Sequence, residues 1–335
     1  MIETAKPTAP TALTNGLKTR DFTVKAGKTG GRVTLVQLTD LHIGYCNAED
    51  LLNPTLKSTS EYRGTDATVE KSWPNLQYVL RNLEYGLNYA DAVGAEQIVI
   101  TGDAVDYLSK GALNYVTEKI WNRYPSGDKV LISPGNHELV QQMAGKVGET
   151  VSAEDRYRML KETWQHDPIY TSRILQNKVM VIQMDNGLND RPEIAQPHSG
   201  NLFRPEQVEL LTRDLELARQ NDYVVLLFFH EAVGTGNYED RELHATYIPG
   251  ANSGVHPTQN LLENVAAGTD HDSAASRAIW NLIRDNSDNI AAVFAGHVHG
   301  DFYSEILGET RNIPQFLLSG NAFEYGHVLK IMVEY

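Results

Sequence analysis

From residue 32 onward the chain alternates between two hydrophobic rhythms. Short runs of β-branched and aliphatic residues stop abruptly at polar residues, as strands do. They are "RVTLVQLTD" (32–40), "EQIVITGD" (96–103), "KVLISPGN" (129–136), "KVMVIQMDN" (178–186), "YVVLLFFH" (223–230) and "NIAAVFAGH" (289–297). Between them lie segments whose apolar residues recur three and four apart, the spacing of a helix face. These are 67–93, 112–124, 153–164, 204–220 and 273–286. Trp73, Leu76, Val79 and Leu80 share a face in the first. Leu210, Leu211, Leu215 and Leu217 form a core-facing stripe in the fourth. Pro74 and Pro205 fall near helix starts, where a missing N–H is harmless. "IPQFLLSG" (313–320) and "HVLKIMVEY" (327–335) read as two closing strands. Strands alternating with helices predict parallel α/β structure, with antiparallel pairing toward the end.

Three stretches follow neither rhythm. Residues 1–22, rich in Thr, Pro and Ala, read as a loose arm ahead of a single domain over 23–335. Residues 43–66 read as a long loop. Residues 231–271, rich in Gly and Asn, read as an insertion over one end of the sheet and the best candidate for a lid that selects substrate.

Composition narrows the class. The chain has 335 residues, 41% hydrophobic and 21% charged, as soluble globular proteins do. A net charge of -14 argues against indiscriminate nucleic-acid binding, which needs a basic face. Cys46 is the single cysteine, so no intrachain disulfide forms, and it reads as a small semi-buried residue. The first residues lack the basic start and apolar stretch of a signal peptide. No run of 18 apolar residues predicts a membrane span. The cytoplasm is expected, although a processed secreted chain reads the same way.

The candidate chemistry sits where strands stop. In "FAGHVHG", His297 and His299 are two residues apart and face one point past a strand end. Asp40 and His42 repeat the spacing in "TDLH". Asp103 follows another strand in "TGD", Asn136 another in "PGNHE", and His230 another in "FFH". In open α/β sheets, ligands bind at the carboxyl ends of strands. Oxygen and imidazole donors without thiolate suit Zn, Fe or Mn. Seven such residues are too many for one ion with an open position and right for two ions. Asp103 is the natural bridge, since a carboxylate has two oxygens. Two ions about 3.5–4 Å apart clamp a phosphoryl group and activate a shared water.

The ordered series "DLH … GD … GNHE … H … GHVH", spanning residues 40 to 299, resembles the calcineurin-like metallophosphoesterase superfamily. The resemblance implies a four-layer α/β/β/α sandwich with two mixed β-sheets. It implies one divalent or trivalent ion (Mn, Fe or Zn) held by Asp40, His42, Asp103 and His299. A second is then held by Asp103, Asn136, His230 and His297, and a hydroxide between the two attacks phosphorus in line. By the same resemblance His137 contacts the phosphoryl group or protonates the leaving oxygen, paired with Asp106. Protein Ser/Thr phosphatases continue "GDxVD" with Arg-Gly, where this chain has Tyr107 and Leu108. Purple acid phosphatases place a tyrosinate where Asp106 stands and lack the histidine found here at 42. The resemblance is therefore to the broader group of bacterial-type phosphatases and phosphodiesterases.

The expected partner is a small-molecule phosphate ester. Two rival readings are a nuclease, against which the acidity speaks, and a non-catalytic scaffold, against which the intact ligand set speaks. Glu138 reads equally as structural or functional. His198, His244, His256 and His271 read as solvated loop residues. Arg63, Arg191 and Arg204 read as surface ion pairs rather than phosphate grips.

Overall fold

The computed structural model describes residues 2–4, 11–12, 17–27, 30–63, 76–138, 153–187, 203–235, 245–247, 274–322 and 326–335. Their strands form two seven-stranded sheets. The first contains β1 (Glu3–Thr4), β2 (Thr11–Ala12), β3 (Lys18–Lys25), β4 (Arg32–Leu38), β5 (Gln97–Thr101), β6 (Val130–Ser133) and β14 (His327–Glu334). Its order is β1-β3-β14-β4-β5-β6, with β2 also on β3. β4, β5 and β6 run parallel, while β14 lies parallel to β3 and antiparallel to β4.

The second sheet contains β7 (Tyr170–Leu175), β8 (Val179–Met184), β9 (Val224–Phe228), β10 (Ala245–Tyr247), β11 (Ile290–Ala295), β12 (Phe302–Ile306) and β13 (Ile313–Leu317). Its order is β10-β12-β13-β11-β9-β8-β7. Parallel pairing runs from β8 through β9 and β11 to β13, and antiparallel strands close both edges.

Strand alternation explains why the two sheets stack. Phe22, Val24, Leu35, Val99 and Leu131 leave the first sheet to meet Val181, Leu226, Phe228, Phe294 and Phe316 of the second. Phe294 stacks on Phe228 at 4.8 Å and meets Phe22 edge-on at 5.5 Å. Each such pair is worth about 0.5–1.5 kcal/mol beyond area burial. The opposite face of the first sheet (Val36, Leu38, Ile98, Ile100) packs against α2 (Leu76–Ala92), α3 (Lys110–Val116) and α4 (Ala153–Trp164). The opposite face of the second packs against α5 (Pro205–Asn221) and α6 (Ala274–Asp285) through Leu211, Leu215, Ile279 and Ile283. The result is the four-layer α/β/β/α sandwich with two mixed sheets.

Several expectations change. The loose arm over 1–22 ends earlier, because β3 begins at Lys18 and pairs along its whole length with β14. Its buried alternation (Phe22, Val24) sits on one short strand whose polar neighbours hide the rhythm. The stretch 43–66 is not all loop, since α1 (Pro54–Arg63) lies within it. That helix has little apolar periodicity; its start is set by the Asn53 side chain, which accepts from Thr55 N at 2.9 Å and Leu56 N at 3.3 Å, with Pro54 at the first position. α3 runs into a π-helical turn over Thr117–Trp121. In the α5 stripe Leu211 and Leu215 are buried, but Leu217 is 37% exposed. β7 and β12 were not anticipated; β7 is largely polar and only half-buried. Within 231–271, residues 245–247 form β10. The face of Trp73, Leu76, Val79 and Leu80, the four loop histidines, Arg191 and the Arg63 side chain lie outside the described residues, as does most of the proposed insertion. Cys46 is fully buried beside Tyr107, 3.5 Å from its hydroxyl. Among the described residues no helix is long and apolar enough to cross a membrane.

Candidate metal centre

At the strand ends the two stacked sheets are joined face to face through buried polar groups. Gln37 of β4 donates to Thr101 Oγ1 of β5 at 2.9 Å and across the interface to the Ala295 carbonyl of β11 at 3.0 Å. Just beyond this link, each strand turns sharply. Asp40, His42, Asp103, His297 and His299 all have positive φ, between 47° and 69°. For residues with a Cβ this conformation costs of order 1–3 kcal/mol each, and it persists where surrounding contacts over-determine it. Here those contacts are explicit. His42 N donates to Asp103 O at 2.8 Å, and Asp40 N to Gly102 O at 3.0 Å. His297 N donates to Asp40 Oδ2 at 3.0 Å, and His137 N to Asp103 Oδ1 at 2.9 Å.

Two glycines make this crowding sterically feasible. Gly102 has φ +82°, and a Cβ there would run into the His230 ring. Gly296 has ordinary φ; its missing side chain leaves room for Thr39 and Asp40. The reason for glycine at 296 is therefore close approach rather than the turn itself.

All seven residues expected as ligands converge, in two overlapping groups. Asp40, His42, Asp103 and His299 form one, and Asp103, His230 and His297 form another. Asn136 joins the second group, with Oδ1 3.0 Å from His230 Nε2 and 3.1 Å from His297 Nδ1. Asp103 Oδ2 lies 3.2 Å from His230 Nε2 and 3.7 Å from His42 Nε2, between the groups. His42 Nε2 approaches His299 Nε2 at 3.0 Å, and His297 Nδ1 approaches His230 Nε2 at 3.2 Å.

Ring orientation shows which nitrogens are offered inward. His230 Nδ1 lies 2.8 Å from the Thr101 carbonyl, and His42 Nδ1 3.1 Å from Asp106 Oδ1. Each pairing fixes the proton on Nδ1 and leaves Nε2 for the centre. Asp106 thus serves two histidines. His137 Nδ1 sits 2.7 Å from the Asp106 carbonyl oxygen and 3.4 Å from its carboxylate, which is nearer to His42. The expected His137–Asp106 dyad is therefore closest through the backbone.

The donor set fits metal ions. Asp40 Oδ1 is buried, and its nearest partner is the inward-facing His299 Nε2 at 3.1 Å, so a carboxylate oxygen and an imidazole nitrogen are aimed at one spot that a cation can fill. The spacing of the inward-facing imidazole nitrogens also suits metal, since metal–nitrogen bonds of about 2.0–2.1 Å put two donors on one ion about 3 Å apart.

Electrostatics in the bare site points the same way. Burial opposes ionisation of Asp40, but the His299 and His230 imidazoles hold its carboxyl down to about 2. Burial likewise opposes ionisation of Asp103, which the neighbouring histidines hold well below the usual range. Burial opposes charge on His230 and His137, yet Asp103 pushes them up to about 10 and about 9, with Asp106 also acting on His137. Burial and the His230 charge press His297 down to about 3, and burial with His137 lowers His42.

Sequence reasoning left Glu138 undecided and missed its neighbours. Fully buried, the Glu138 carboxylate accepts from Asp103 N (3.0 Å), Val105 N (2.9 Å) and Gly135 N (2.7 Å), tying two turns together. Asn186 was not anticipated. Its Oδ1 accepts from His230 N at 3.2 Å and Glu231 N at 3.1 Å. The position after the strand over 178–186 was the available signal. Arg204 lies over the Tyr157 ring at 4.1 Å, with Nε 3.7 Å from Asp185, so it straps α4 to the end of β8.

The family model for calcineurin-like phosphoesterases matches residues 33–301. A dimetal phosphatase from Danio rerio is 13% identical with a TM-score of 0.48, covering 88% of this chain and 90% of that one. A purple acid phosphatase from yellow lupin seeds is 11% identical with a TM-score of 0.45, covering 93% of this chain and 49% of that one, so this chain spans about half its length. A calcineurin-like phosphoesterase from Bacillus subtilis is 14% identical with a TM-score of 0.39, covering 87% of this chain and 82% of that one. No curated protein matches by sequence.

Proposed function

The chain belongs to the calcineurin-like phosphoesterase family, and we propose that it hydrolyses small-molecule phosphate esters with two bound transition-metal ions. The observation that carries this reading is the convergence of two imidazole pairs on one shared carboxylate, Asp103, beside the buried Asp40 carboxylate. On this reading Asp40, His42, Asp103 and His299 hold one ion, and Asp103, Asn136, His230 and His297 the other. Bound there, Mn, Fe or Zn would supply Lewis acidity toward the phosphoryl group and lower the pKa of a shared water.

The chain's own residues do the rest. His137 lies 3.9 Å from Asp103 through Nε2 and is 8% exposed, so it borders the centre without entering either ligand group. In the metal-free site burial opposes its charge, but Asp103 and Asp106 raise it to about 9. In this role Nε2 gives its proton to the leaving oxygen as the P–O bond breaks, which is general-acid catalysis. Asp106 keeps the ring turned so that Nε2 faces the centre. Glu138 holds the turn carrying Asn136 against the turn carrying Asp103.

The test is metal analysis together with turnover of p-nitrophenyl phosphate and bis(p-nitrophenyl) phosphate. Two ions per chain and metal-dependent release of nitrophenol are expected. Absence of both would sink the reading. Salt-sensitive cleavage of DNA in preference to either ester would favour a nuclease instead.

A further inference from the structure

The residue two places after His299 is Asp301, and nothing in the ligand pattern calls for it. It is nonetheless among the most completely buried charges in the described structure. Its relative exposure is 0%, as is that of each of its two charged or ionisable partners, Arg20 and His327. Oδ2 accepts from Arg20 Nε at 2.5 Å and from His327 Nδ1, and Oδ1 accepts from Ser319 N at 2.7 Å. Arg20 comes from β3 and His327 begins β14, so the carboxylate ties the turn after β11 to two strands of the other sheet.

The ties continue to the first ligand group. Ser319 Oγ donates to the His299 carbonyl at 3.3 Å. Asn321 Nδ2 donates to the His327 carbonyl at 3.0 Å, and Asn321 Oδ1 accepts from Thr39 N at 2.9 Å. The backbone of the same turn closes the circuit, with Asn321 N on Thr39 O and Ala322 N on Asp40 O, both at 2.9 Å. Asp40 and His299, 3.1 Å apart across the centre, are therefore held from behind by one buried network. The second group is reached only at one further remove: Thr39 Oγ1 donates at 2.9 Å to the Thr101 carbonyl that also pairs with His230 Nδ1, and His297 N donates to Asp40 Oδ2 at 3.0 Å.

We propose that Asp301, charge-balanced by Arg20 and oriented by His327, is a positioning residue that acts on the first metal ion more than on the second. The inference rests on the dinuclear reading above. A buried ion pair adds little net stability over an apolar pair, because desolvation offsets the attraction. What it supplies is direction: three donors on one carboxylate fix the angle at which the turn carries His299. Outer-shell partners of this kind typically alter metal affinity 10–100-fold when removed.

The experiment loads metal-free full chain with Mn or Co(II) and reads stoichiometry, the affinity of each ion and the Co(II) visible spectrum. Asp301→Asn alone strands a buried guanidinium, so the charge-neutral pair Arg20→Gln/Asp301→Asn is measured alongside it, with Arg20→Lys as the conservative control. The expected result is two ions in the wild type and in Arg20→Lys. In the double variant, one ion should bind about 10–100-fold more weakly and the other be weakened distinctly less, with a changed Co(II) spectrum. Wild-type affinity for both ions in a double variant that melts as the metal-free wild type does would overturn the assignment. Equal weakening of both ions would overturn it too, since it marks a general structural role. A wild type that binds no metal would instead overturn the dinuclear reading, and this inference with it.

Discussion

Asp40 and His299 meet at one end of the candidate centre, and His230 meets His297 and Asn136 at the other. The first end is held from far away in sequence: Arg20 reaches it from β3, Asp301 from the turn after β11, Asn321 from the turn after β13 and His327 from the start of β14. The second is held by residues next to its own ligands. Glu138 follows Asn136 by two positions, and Asn186 lies two residues past β8, the strand beside β9. A ligand on a strand end needs its backbone fixed as well as its side chain, because five of the seven stand in a conformation they avoid when free. The molecule solves this once with a remote buried ion pair and once with short-range amide and carboxylate contacts.

The sharpest way to break the comparison is to remove what the halves share. Asp103→Ala deletes the carboxylate that touches both groups, and both ions should be lost together. Turnover should fall by on the order of 10³-fold or more, since metal Lewis acidity is worth several kcal/mol and each 1.36 kcal/mol is tenfold. Metal analysis with single-turnover kinetics reads it; retention of one tightly bound ion would show that the halves are independent. His137 borders Asp103 and the His42 ring but is not one of the seven expected ligands, so His137→Ala removes none of them. It should keep both ions and still lower kcat by about 10²–10⁴-fold, the usual weight of a general acid. Loss of metal there would make His137 a structural residue instead. Asn186→Ala should mirror the Asp301 variants: the ion at His230 weakened about 10–100-fold, the other unchanged, as read by two-step titration.

The two supports also differ in how visible they are from sequence. Ligands sit on strand ends, and a strand end is a local event: an apolar run stops at Asp, His or Asn. That is why all seven positions, and Glu138 beside them, stand out. Four layers of alternating strands and helices are legible for the same reason. The first half's brace is not. Arg20 sits in a stretch that reads as a loose arm, because β3 gains its stability from β14 at the far end of the chain rather than from its own rhythm. Asp301, Asn321 and His327 are ordinary polar residues whose meaning is contact across 281 positions between Arg20 and Asp301, and no local pattern encodes it. α1 escaped for a related reason, since an Asn-Pro cap rather than an apolar face announces it.

The last expected effect, small at any one pH step, separates the halves by pH. In the metal-free protein burial opposes charge on His230, but Asp103 raises it from 6.5 to about 10, so it carries a proton at neutral pH. His42, lowered by burial and by His137, is neutral there. An ion entering the second half must therefore displace a proton from His230, while His42 of the first half presents no such obstacle. Affinity at the second half should rise by about tenfold per pH unit for one displaced proton, from pH 7 until His230 titrates near 10. The same shift has a sign for stability. A folded value above the unfolded 6.5 means that the charged His230 stabilises the metal-free fold fully below pH 6.5. That contribution fades as pH rises through about 10. Asp40 works in reverse: held down to about 2, it stabilises above its unfolded value of 3.8 and ceases to do so as pH falls through 2. Melting of the metal-free chain should thus decline between pH 6.5 and 10, and loading with metal should flatten that decline, because the ion replaces the proton between His230 and Asp103. A proton count near zero at the second half, measured by titration calorimetry in buffers of different ionisation enthalpy, would show that His230 is already neutral and that the two halves bind metal alike.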